Sequence, residues 1–438
     1  MSRPVSRRTF LASSASAGLA LGLNHSAHGQ PTVASGSTPA SKPILDWPLS
    51  DEREEAALLA VLRSGKWGRT ASGASRVKDF ETAFATRMKA RHCIATSSGT
   101  TALLTALGAL NLGPGDEVIM PPYTFVATFN AITASFALPV FADTDAATFQ
   151  IDPAKMSAAI TPATKLLLPV HIAGSPADLD ALSAIAQARK ITLIEDACQA
   201  PLAEWHGQPV GTVGLGGCFS FQASKNLTCG EGGAILTNDE TFAHLCYDFH
   251  TPGGGKKSAS SGRGANYRLA EFQAAVLLAQ MTRLETQAKT RDANAAYLTA
   301  LLRKIPGIVP ASLAPGVTRS AWHLYMFRYE SANFAGLSRA KFLAALAKAG
   351  VAASSGYTSL NTTAHVQALA ANPHYQRLYG QAAMARWVDR NQCPVNDRLV
   401  EEAVWFGQAK LLGRRADVER MAAAIADIQK RAGELARS

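Results

Sequence analysis

Two residues of this chain, a lysine and an aspartate, have side chains whose types and spacing could support catalysis. Lys225 lies in the segment Phe219–Leu227, and Asp196 lies upstream at the end of an apolar run. A lysine amine can hold the cofactor's aldehyde as a Schiff base, and an aspartate can keep the pyridine nitrogen protonated so that the ring withdraws electrons. A single lysine is more often a surface residue, but its spacing from Asp196 and Ser220 favours the Schiff base. The sequence therefore predicts Lys225 and Asp196 as catalytic residues and pyridoxal phosphate as the cofactor.

A phosphate site is predicted where an apolar run gives way to Ser97–Leu103. This small-residue turn opens a helix, so backbone N–H groups and a threonine hydroxyl are free to bind a phosphate, aided by the helix dipole. Serine and threonine also cap ordinary helices, so the turn gains weight only from Lys225 and Asp196 in the same chain. Ser220 can offer its hydroxyl to the same phosphate. Phe125 could lie flat on the cofactor ring, although a core position is the default for such a side chain.

A sheet must position these residues. Seven short apolar runs recur between helical segments, at His92–Thr96, Glu117–Met120, Pro139–Asp143, Leu166–Val170, Ile191–Glu195, Cys218–Gln222 and Ala234–Asn238. This alternation predicts an α/β fold with a seven-stranded, mainly parallel sheet covered on both faces. Active residues at the strand ends then converge on one edge of the sheet.

The C-terminal part of the chain has a different pattern. A helical period from Leu269 to about Arg303 leads into a predicted smaller α+β domain, with a strand at Trp322–Arg328 and a closing helix at Ala416–Arg431. The predicted organisation is a large cofactor-binding domain at residues 47–303 and a small C-terminal domain at 304–438.

The N-terminus has the order of features of an export signal. Arg7 and Arg8 are followed by an apolar stretch, Ala12–Leu23, and by the small residues of Ala27–Gly29. This order is typical of a twin-arginine signal peptide, and the apolar stretch is too short to span a bilayer. The sequence predicts a signal peptide at 1–29, a flexible linker at 30–46, export to the periplasm, and no stable membrane insertion after cleavage. The twin-arginine route serves proteins exported in folded form, often with a cofactor bound.

Composition limits the possible partners. The chain has 438 residues, of which 47% are hydrophobic and 17% charged, as in folded soluble proteins. Its formal charge is +10, but the basic residues are scattered among acids, so no nucleic-acid partner is predicted. The six cysteines show neither CxxC nor Cys/His spacing, and HExxH is absent, so no metal site is predicted.

Taken together, the motifs resemble the DegT/StrS family of pyridoxal-phosphate sugar aminotransferases. The resemblance runs from about Gly65 to about Gly413 and implies the aspartate-aminotransferase-like fold, fold type I. The matching segments are Ser98–Leu103, Gly113–Ile119, Thr124–Thr128, Pro169–His171, Glu195–Ala200, Phe219–Phe221, Lys225–Leu227, Gly230–Ala234 and Asn266–Arg268. Pro201–Ala203 and Ile172–Ala173 depart from the usual family residues near the expected pocket, so the substrate stays open.

The resemblance implies roles for individual residues. The implied cofactor-binding residues are Gly99, Thr100, Phe125, Asp196, Gln199, Ser220, Lys225 and Asn266. Gln199 would contact the hydroxyl side of the ring, and Asn266 would reach the phosphate bound by the other subunit. The implied assembly is therefore a homodimer with shared active sites.

The implied reaction moves an amino group from glutamate or glutamine to a keto-sugar or related cyclic ketone through the Lys225 Schiff base. Trp67–Arg69 and Trp322–Arg328 look more like the 3-amino-5-hydroxybenzoate synthase branch of the family, so dehydration and aromatisation of a ring is one alternative. Another is a non-catalytic, pyridoxal-phosphate-binding regulatory protein. The complete set of Lys225, Asp196 and Ser220 argues against the regulator, because sensing does not need an acid–base amine.

Overall fold

A computed structural model describes residues 46–251 and 262–437 of the chain. The predicted signal peptide, and the predicted linker apart from its last residue, lie outside the described residues. Residues Lys42–Ser438 cluster into a single unit. The boundary between a large and a small domain at residues 303 and 304 therefore stays a prediction.

The strands of the described chain fall into one large and two small sheets. In chain order they are β1 (His92–Thr96), β2 (Glu117–Met120), β3 (Leu138–Phe141), β4 (Thr164–Leu167), β5 (Thr192–Asp196), β6 (Glu204–Trp205), β7 (Gln208–Pro209), β8 (Gly216–Ser220), β9 (Gly233–Thr237), β10 (Ile308–Pro310), β11 (Val317–Arg319), β12 (Leu324–Tyr329) and β13 (Ala403–Gly407). The large sheet has seven strands in the order β1-β9-β8-β5-β4-β2-β3.

Strand direction in this sheet is almost uniform. The pairs β2–β3, β2–β4, β4–β5 and β5–β8 are parallel, whereas β9 is antiparallel to both β8 and β1. Six strands therefore run the same way, and the predicted seven-stranded, mainly parallel sheet is confirmed. The predicted strand limits differ from the observed ones by three residues at most, because the ends of an apolar run do not coincide with the ends of the hydrogen-bonded ladder.

Helices cover the sheet on both faces. In chain order the helices are α1 (Glu52–Ser64), α2 (Arg76–Arg87), α3 (Gly99–Ala109), α4 (Ala127–Thr133), α5 (Pro153–Ala159), α6 (Leu179–Arg189), α7 (Glu240–His250), α8 (Glu271–Leu302), α9 (Arg339–Lys348), α10 (Ala364–Ala371), α11 (Pro373–Tyr379), α12 (Gln381–Arg390), α13 (Pro394–Glu402), α14 (Arg415–Lys430) and α15 (Ala432–Arg437). Every residue of β2, β3, β8 and β9 is buried, which explains why their sequences are mainly apolar. Within the described residues, no helix is long and apolar enough to cross a membrane.

The edge strand β3 is covered by a helical segment that the sequence analysis did not predict. This segment comprises α10 to α12. The Tyr375 hydroxyl donates to Ala137 O at 3.0 Å, and Trp387 Nε1 donates to Pro139 O at 2.6 Å. These side chains hydrogen-bond to backbone beside the open edge, which protects it from pairing with another chain.

The C-terminal residues build the three-stranded antiparallel sheet β10-β12-β13. The strand predicted at Trp322–Arg328 is observed as β12, and the predicted closing helix is observed as α14, followed by the short α15. A separate core of residues such as Phe327, Phe342 and Ile425 packs this sheet against helices. The sheet matters for function because it brings the start of β12 and the loop before α10 to the carboxyl edge of the large sheet.

Candidate active site

A cavity of about 570 Å³ lies where the parallel strands end. Its walls contain all but one of the predicted cofactor-binding residues: Gly99, Thr100, Phe125, Asp196, Gln199, Ser220 and Lys225. The exception is Asn266, which is exposed and lies outside these walls. A cavity of about 630 Å³ beside the Arg69–Glu81 ion pair contains none of the predicted residues. The strand directions therefore assemble one site from segments that are far apart in sequence.

The start of α3 forms one end of the cavity. Ser98 caps the helix, with its Oγ accepting from Thr101 N at 3.1 Å and its own N–H donating to Thr101 Oγ1 at 2.8 Å. The N–H groups of Gly99 and Thr100, at the first two helical positions, have no acceptor in the described part of the chain. Two free N–H groups at a helix N-terminus provide an anion site.

Ser220 lies directly against this helix start. A Cβ at position 99 would stand 2.6 Å from Ser220 Cβ and 3.0 Å from Cys198 Sγ, so only glycine allows the approach. The Ser220 hydroxyl therefore joins the two free N–H groups as a third donor at the same end of the cavity. This cradle fits the phosphate of the predicted cofactor.

Asp196 ends β5 and is 3% exposed. Thr128 Oγ1 donates to its Oδ2 at 2.8 Å, and Cys198 N donates to its Oδ1 at 3.1 Å. The remaining lone pairs of this carboxylate can accept the protonated ring nitrogen of a pyridine. Thr128 ends the family-matching segment Thr124–Thr128, but the sequence indicated no role for it.

Gln199 is held in one orientation. Its Oε1 accepts the N–H of Ala173 at 2.7 Å, and its Nε2 donates to the hydroxyl of Tyr357 at 2.9 Å. Tyr357 lies in the cavity wall, and burial raises its pKa to about 12, so its phenol keeps its proton. The departure from the family at Ile172–Ala173 thus contributes a backbone N–H to the site, whereas Pro201–Ala203 is buried and outside the walls.

The loop that carries Lys225 is anchored on its N-terminal side by a residue from the far end of the chain. Trp47 Nε1 donates to Ala223 O at 2.9 Å. The guanidinium of the fully buried Arg291 lies 5.6 Å from the centroid of the Trp47 ring, a cation–π contact.

On its C-terminal side the loop is anchored by the segment before β12. Asn226 Nδ2 donates to Ala321 O at 2.6 Å, and Asn226 Oδ1 accepts from His323 Nδ1, 3.1 Å away. Both anchors are long-range in sequence. The Lys225 backbone is therefore fixed from two sides before any cofactor binds.

Two bases of the cavity have pKa values that their surroundings lower. Burial lowers the pKa of Lys225, although the nearby charge of Asp196 opposes this effect. Burial, with repulsion from Lys225 and Arg291, holds the pKa of His323 well below its ordinary value. A hydrogen bond from Nδ1 to Asn226 then leaves Nε2 of His323 as an unprotonated acceptor.

Two further buried histidines have structural partners. His171 Nε2 lies 2.9 Å from Glu195 Oε2, and both side chains are fully buried. His250 Nδ1 lies 2.7 Å from Tyr247 O, and burial lowers its pKa to about 4. Neither residue is in the cavity wall.

Phe125 is 57% exposed within the cavity wall, so one face of its ring is free to stack on a ligand. With the phosphate cradle, the Asp196 carboxylate and the Lys225 amine, this free face completes a fit to pyridoxal phosphate. Tyr357 and Thr128 are the additions that sequence reasoning missed. The irregular loop around Tyr357 has no periodic pattern that could have indicated it, whereas Thr128 could have been found from its position in the segment that contains Phe125.

The chain matches the DegT/DnrJ/EryC1/StrS aminotransferase family over residues 48–426. It is 37% identical over 430 residues to the L-glutamine:2-deoxy-scyllo-inosose aminotransferase of Streptoalloteichus tenebrarius, with 92% of this chain and 98% of the relative covered. It is 35% identical over 394 residues to the 3-amino-5-hydroxybenzoate synthase of Amycolatopsis mediterranei, with 88% and 97% covered. A crystal structure of a 3-amino-5-hydroxybenzoic acid synthase has a TM-score of 0.77 and 32% identity, with 88% of this chain and 98% of that chain covered. These similarities confirm the predicted fold type I, the predicted cofactor and the resemblance to the synthase branch.

The neutral state of His323 predicts a pH dependence of stability. In the unfolded chain a histidine takes up a proton as the pH falls through about 6.5, whereas folded His323 does not. The unfolded state then binds more protons, so stability should fall below about pH 6.5 by up to about 1.4 kcal/mol per pH unit. His323→Asn keeps an amide donor toward Asn226. It should lower the slope of unfolding free energy against pH by about 1.4 kcal/mol per pH unit, because the unfolded state then takes up one proton fewer.

The measurement is the free energy of unfolding of the cofactor-free protein in urea at several pH values on both sides of this point. His250 contributes a slope of the same sign in both proteins and cancels in the comparison. His374→Asn, a replacement of an exposed histidine, is the matched control and should leave the slope unchanged. Equal slopes in wild type and His323→Asn would contradict the neutral assignment.

Proposed function

The chain belongs to the DegT/DnrJ/EryC1/StrS aminotransferase family and is a pyridoxal-phosphate-dependent aminotransferase, and on this premise we propose that it moves the amino group of glutamine to a polyhydroxylated cyclic ketone. The amino group leaves the α-carbon of glutamine, which becomes a 2-oxo acid, and replaces the carbonyl oxygen of the ketone. The exchange is balanced without an external oxidant or reductant. The observation that carries the proposal is the single cavity that unites Lys225, Asp196 and the phosphate cradle.

When bound, pyridoxal phosphate supplies an aldehyde that bonds to amines and a protonated ring that withdraws electrons from the carbon next to the bound nitrogen. Gly99, Thr100 and Ser220 would hold its phosphate, and Asp196 would hold the proton of the ring nitrogen. Lys225 Nζ would be released when an amine replaces it and would then move a proton to and from the substrate carbon. Its lowered pKa favours the neutral amine that this role needs.

The cavity wall supports an acceptor rich in hydroxyl groups. Besides the cofactor contacts, it contains polar uncharged side chains such as Ser98, Gln222, Ser224 and Tyr357. These groups can bond hydroxyls as donors and as acceptors. The relative named as an L-glutamine:2-deoxy-scyllo-inosose aminotransferase supports glutamine as donor and an inosose-like or keto-sugar ring as acceptor.

Similarity to 3-amino-5-hydroxybenzoate synthase supports a second candidate activity. This activity is the dehydration and aromatisation of an aminated ring. The regulatory alternative is not retained, because the chain is an aminotransferase by family and its predicted catalytic residues share one cavity.

Lys225→Ala should abolish transfer, with a loss of about a thousandfold or more, because no other side chain at that place can exchange with an incoming amine. The test is the change in absorbance of the bound cofactor when glutamine is added in a single turnover, followed by addition of scyllo-inosose or a keto-sugar. Lys155→Ala, on the exposed side of α5, is the control and should react as wild type does. A wild-type protein that bleaches with glutamine but releases an aromatic amine would instead support the synthase activity. Full transfer by Lys225→Ala would rule out the assignment.

We further propose a homodimer with shared active sites. Asn266 is exposed outside its own cavity, and α1 exposes Leu62 (51%) beside Trp67 (51%), so apolar surface is available for a second copy. The charged side chains among the described residues of the wall are Asp196, Lys225 and Glu231. A phosphate and a donor carboxylate add further negative charge, which donors from a second subunit would offset.

Co-expression of two inactive variants should test this sharing. In a hybrid of Lys225→Ala with Asn266→Asp, one of the two sites would combine an intact Lys225 with an intact Asn266 from the other chain. The hybrid, purified through two different tags, should recover up to about half of the wild-type activity, because a twofold dimer has two equivalent sites. Each variant alone should remain inactive. A hybrid as inactive as its parents, or a monomeric active enzyme in sedimentation analysis, would contradict the proposal.

We also propose export by the twin-arginine route to the periplasm, on the sequence of the first 29 residues. Replacing both Arg7 and Arg8 with lysine should leave the enzyme in the cytoplasm, because the export machinery recognises the paired arginines. Its specific activity should be unchanged, because folding does not depend on this pair. Cell fractionation followed by an activity assay measures this. Arg3→Lys, outside the pair, should be exported normally. Equal export of both variants would count against the route.

A further inference from the structure

The Asp196 carboxylate receives one hydrogen bond on each oxygen, and the two donors come from different elements. Cys198 N is a backbone donor from the turn after β5, whereas Thr128 Oγ1 is a side-chain donor from the first turn of α4. A carboxylate rotates in a broad, roughly twofold well about its last bond. A donor fixed to each oxygen removes this freedom and leaves one lone pair on each oxygen for a ligand. Burial of Asp196 excludes competing water.

Thr128 is itself held in place. It is 1% exposed, and its hydroxyl lies 3.2 Å from that of Thr124, which is also buried. Because the Thr128 hydrogen is directed to Asp196 Oδ2, Thr124 is the donor in the contact between the two hydroxyls. The order of donation is therefore Thr124 to Thr128 to Asp196. Both threonines lie in the cavity wall, and their branched side chains have few rotamers.

We propose that Thr128, supported by Thr124, is a positioning residue that holds the Asp196 carboxylate in the orientation that bonds the cofactor's ring nitrogen. Hydrogen bonds to an ionised acceptor are about twice as strong as bonds between neutral groups, so the hydroxyl also stabilises the charged carboxylate that a protonated nitrogen requires. This inference rests on the assignment of Asp196 to the ring nitrogen. It adds a residue that acts through Asp196 without reacting itself.

The test uses Thr128→Val, which keeps the shape of the side chain and removes the hydroxyl. The ligands are pyridoxamine phosphate, which lacks the aldehyde and so cannot bond to Lys225, and its deaza analogue, in which carbon replaces the ring nitrogen. Dissociation constants are measured by calorimetry on the cofactor-free protein. The affinity for pyridoxamine phosphate should fall about tenfold, as expected for loss of a hydrogen bond to a charged group. The affinity for the deaza analogue should be unchanged, and Thr128→Ser should restore wild-type binding of both ligands.

Thr105→Val is the matched control. Thr105 is fully buried in α3, and its hydroxyl has no hydrogen-bond partner among the described residues, so its loss should affect neither ligand. Thr124→Val provides a second variant should Thr128→Val not fold. It should weaken pyridoxamine phosphate by about two- to threefold and spare the deaza analogue, since it removes only the support of Thr128.

Equal weakening of both ligands by Thr128→Val would assign Thr128 a general structural role, and unchanged affinities would show that its hydroxyl is dispensable; either result overturns the proposal. Binding of the same two ligands to Asp196→Asn then shows whether the error lies in the role of Thr128 or in the assignment of Asp196 to the ring nitrogen. If Asp196→Asn distinguishes the two ligands and Thr128→Val does not, the role of Thr128 alone is wrong. If neither does, Asp196 does not bind the ring nitrogen.

Discussion

The common direction of six strands is the constraint on which the site depends. Parallel strands end at one edge of a sheet, so the turns after β1, β2, β5 and β8 meet there, although the residues they carry are far apart in sequence. Each turn contributes a different group: N–H donors, an aromatic ring, a carboxylate, or a hydroxyl. Reversal of one strand would move its residue to the opposite edge, which is why β9, the antiparallel strand, contributes no group at its carboxyl end.

Close backbone approach is the second requirement at this edge. Gly99 lies against Ser220, and Gly233 lies where a Cβ would stand 2.2 Å from Ser98 O. Larger residues at these positions would separate α3 from β8 and β9 and open the phosphate cradle. The glycines of two matching family segments therefore have a steric explanation in this structure.

The lysine loop shows how distant parts of the chain prepare the chemistry. Trp47 holds the loop before Lys225, and Asn226, with His323, holds it behind. The same packing removes water from both bases, and desolvation favours their neutral forms. Rigidity and altered basicity thus have one cause, the burial of a loop that in isolation would be solvated.

The sequence alone predicted the sheet and the direction of most of its strands, because apolar periodicity and segment order depend on local chemistry. Its motifs, and the family resemblance that they carry, indicated seven residues that the structure places in one cavity. It could not determine what lies beside those residues. The Tyr357 hydroxyl accepts a hydrogen bond from Gln199, although the two residues are 158 positions apart. Thr128 donates to Asp196 from a different element. The segment α10 to α12 covers β3 through hydrogen bonds from side chains to backbone. Such contacts depend on how elements pack in three dimensions, and no local pattern records which surfaces meet. Tertiary structure therefore decided the orientation and basicity of groups whose identities the sequence had already established.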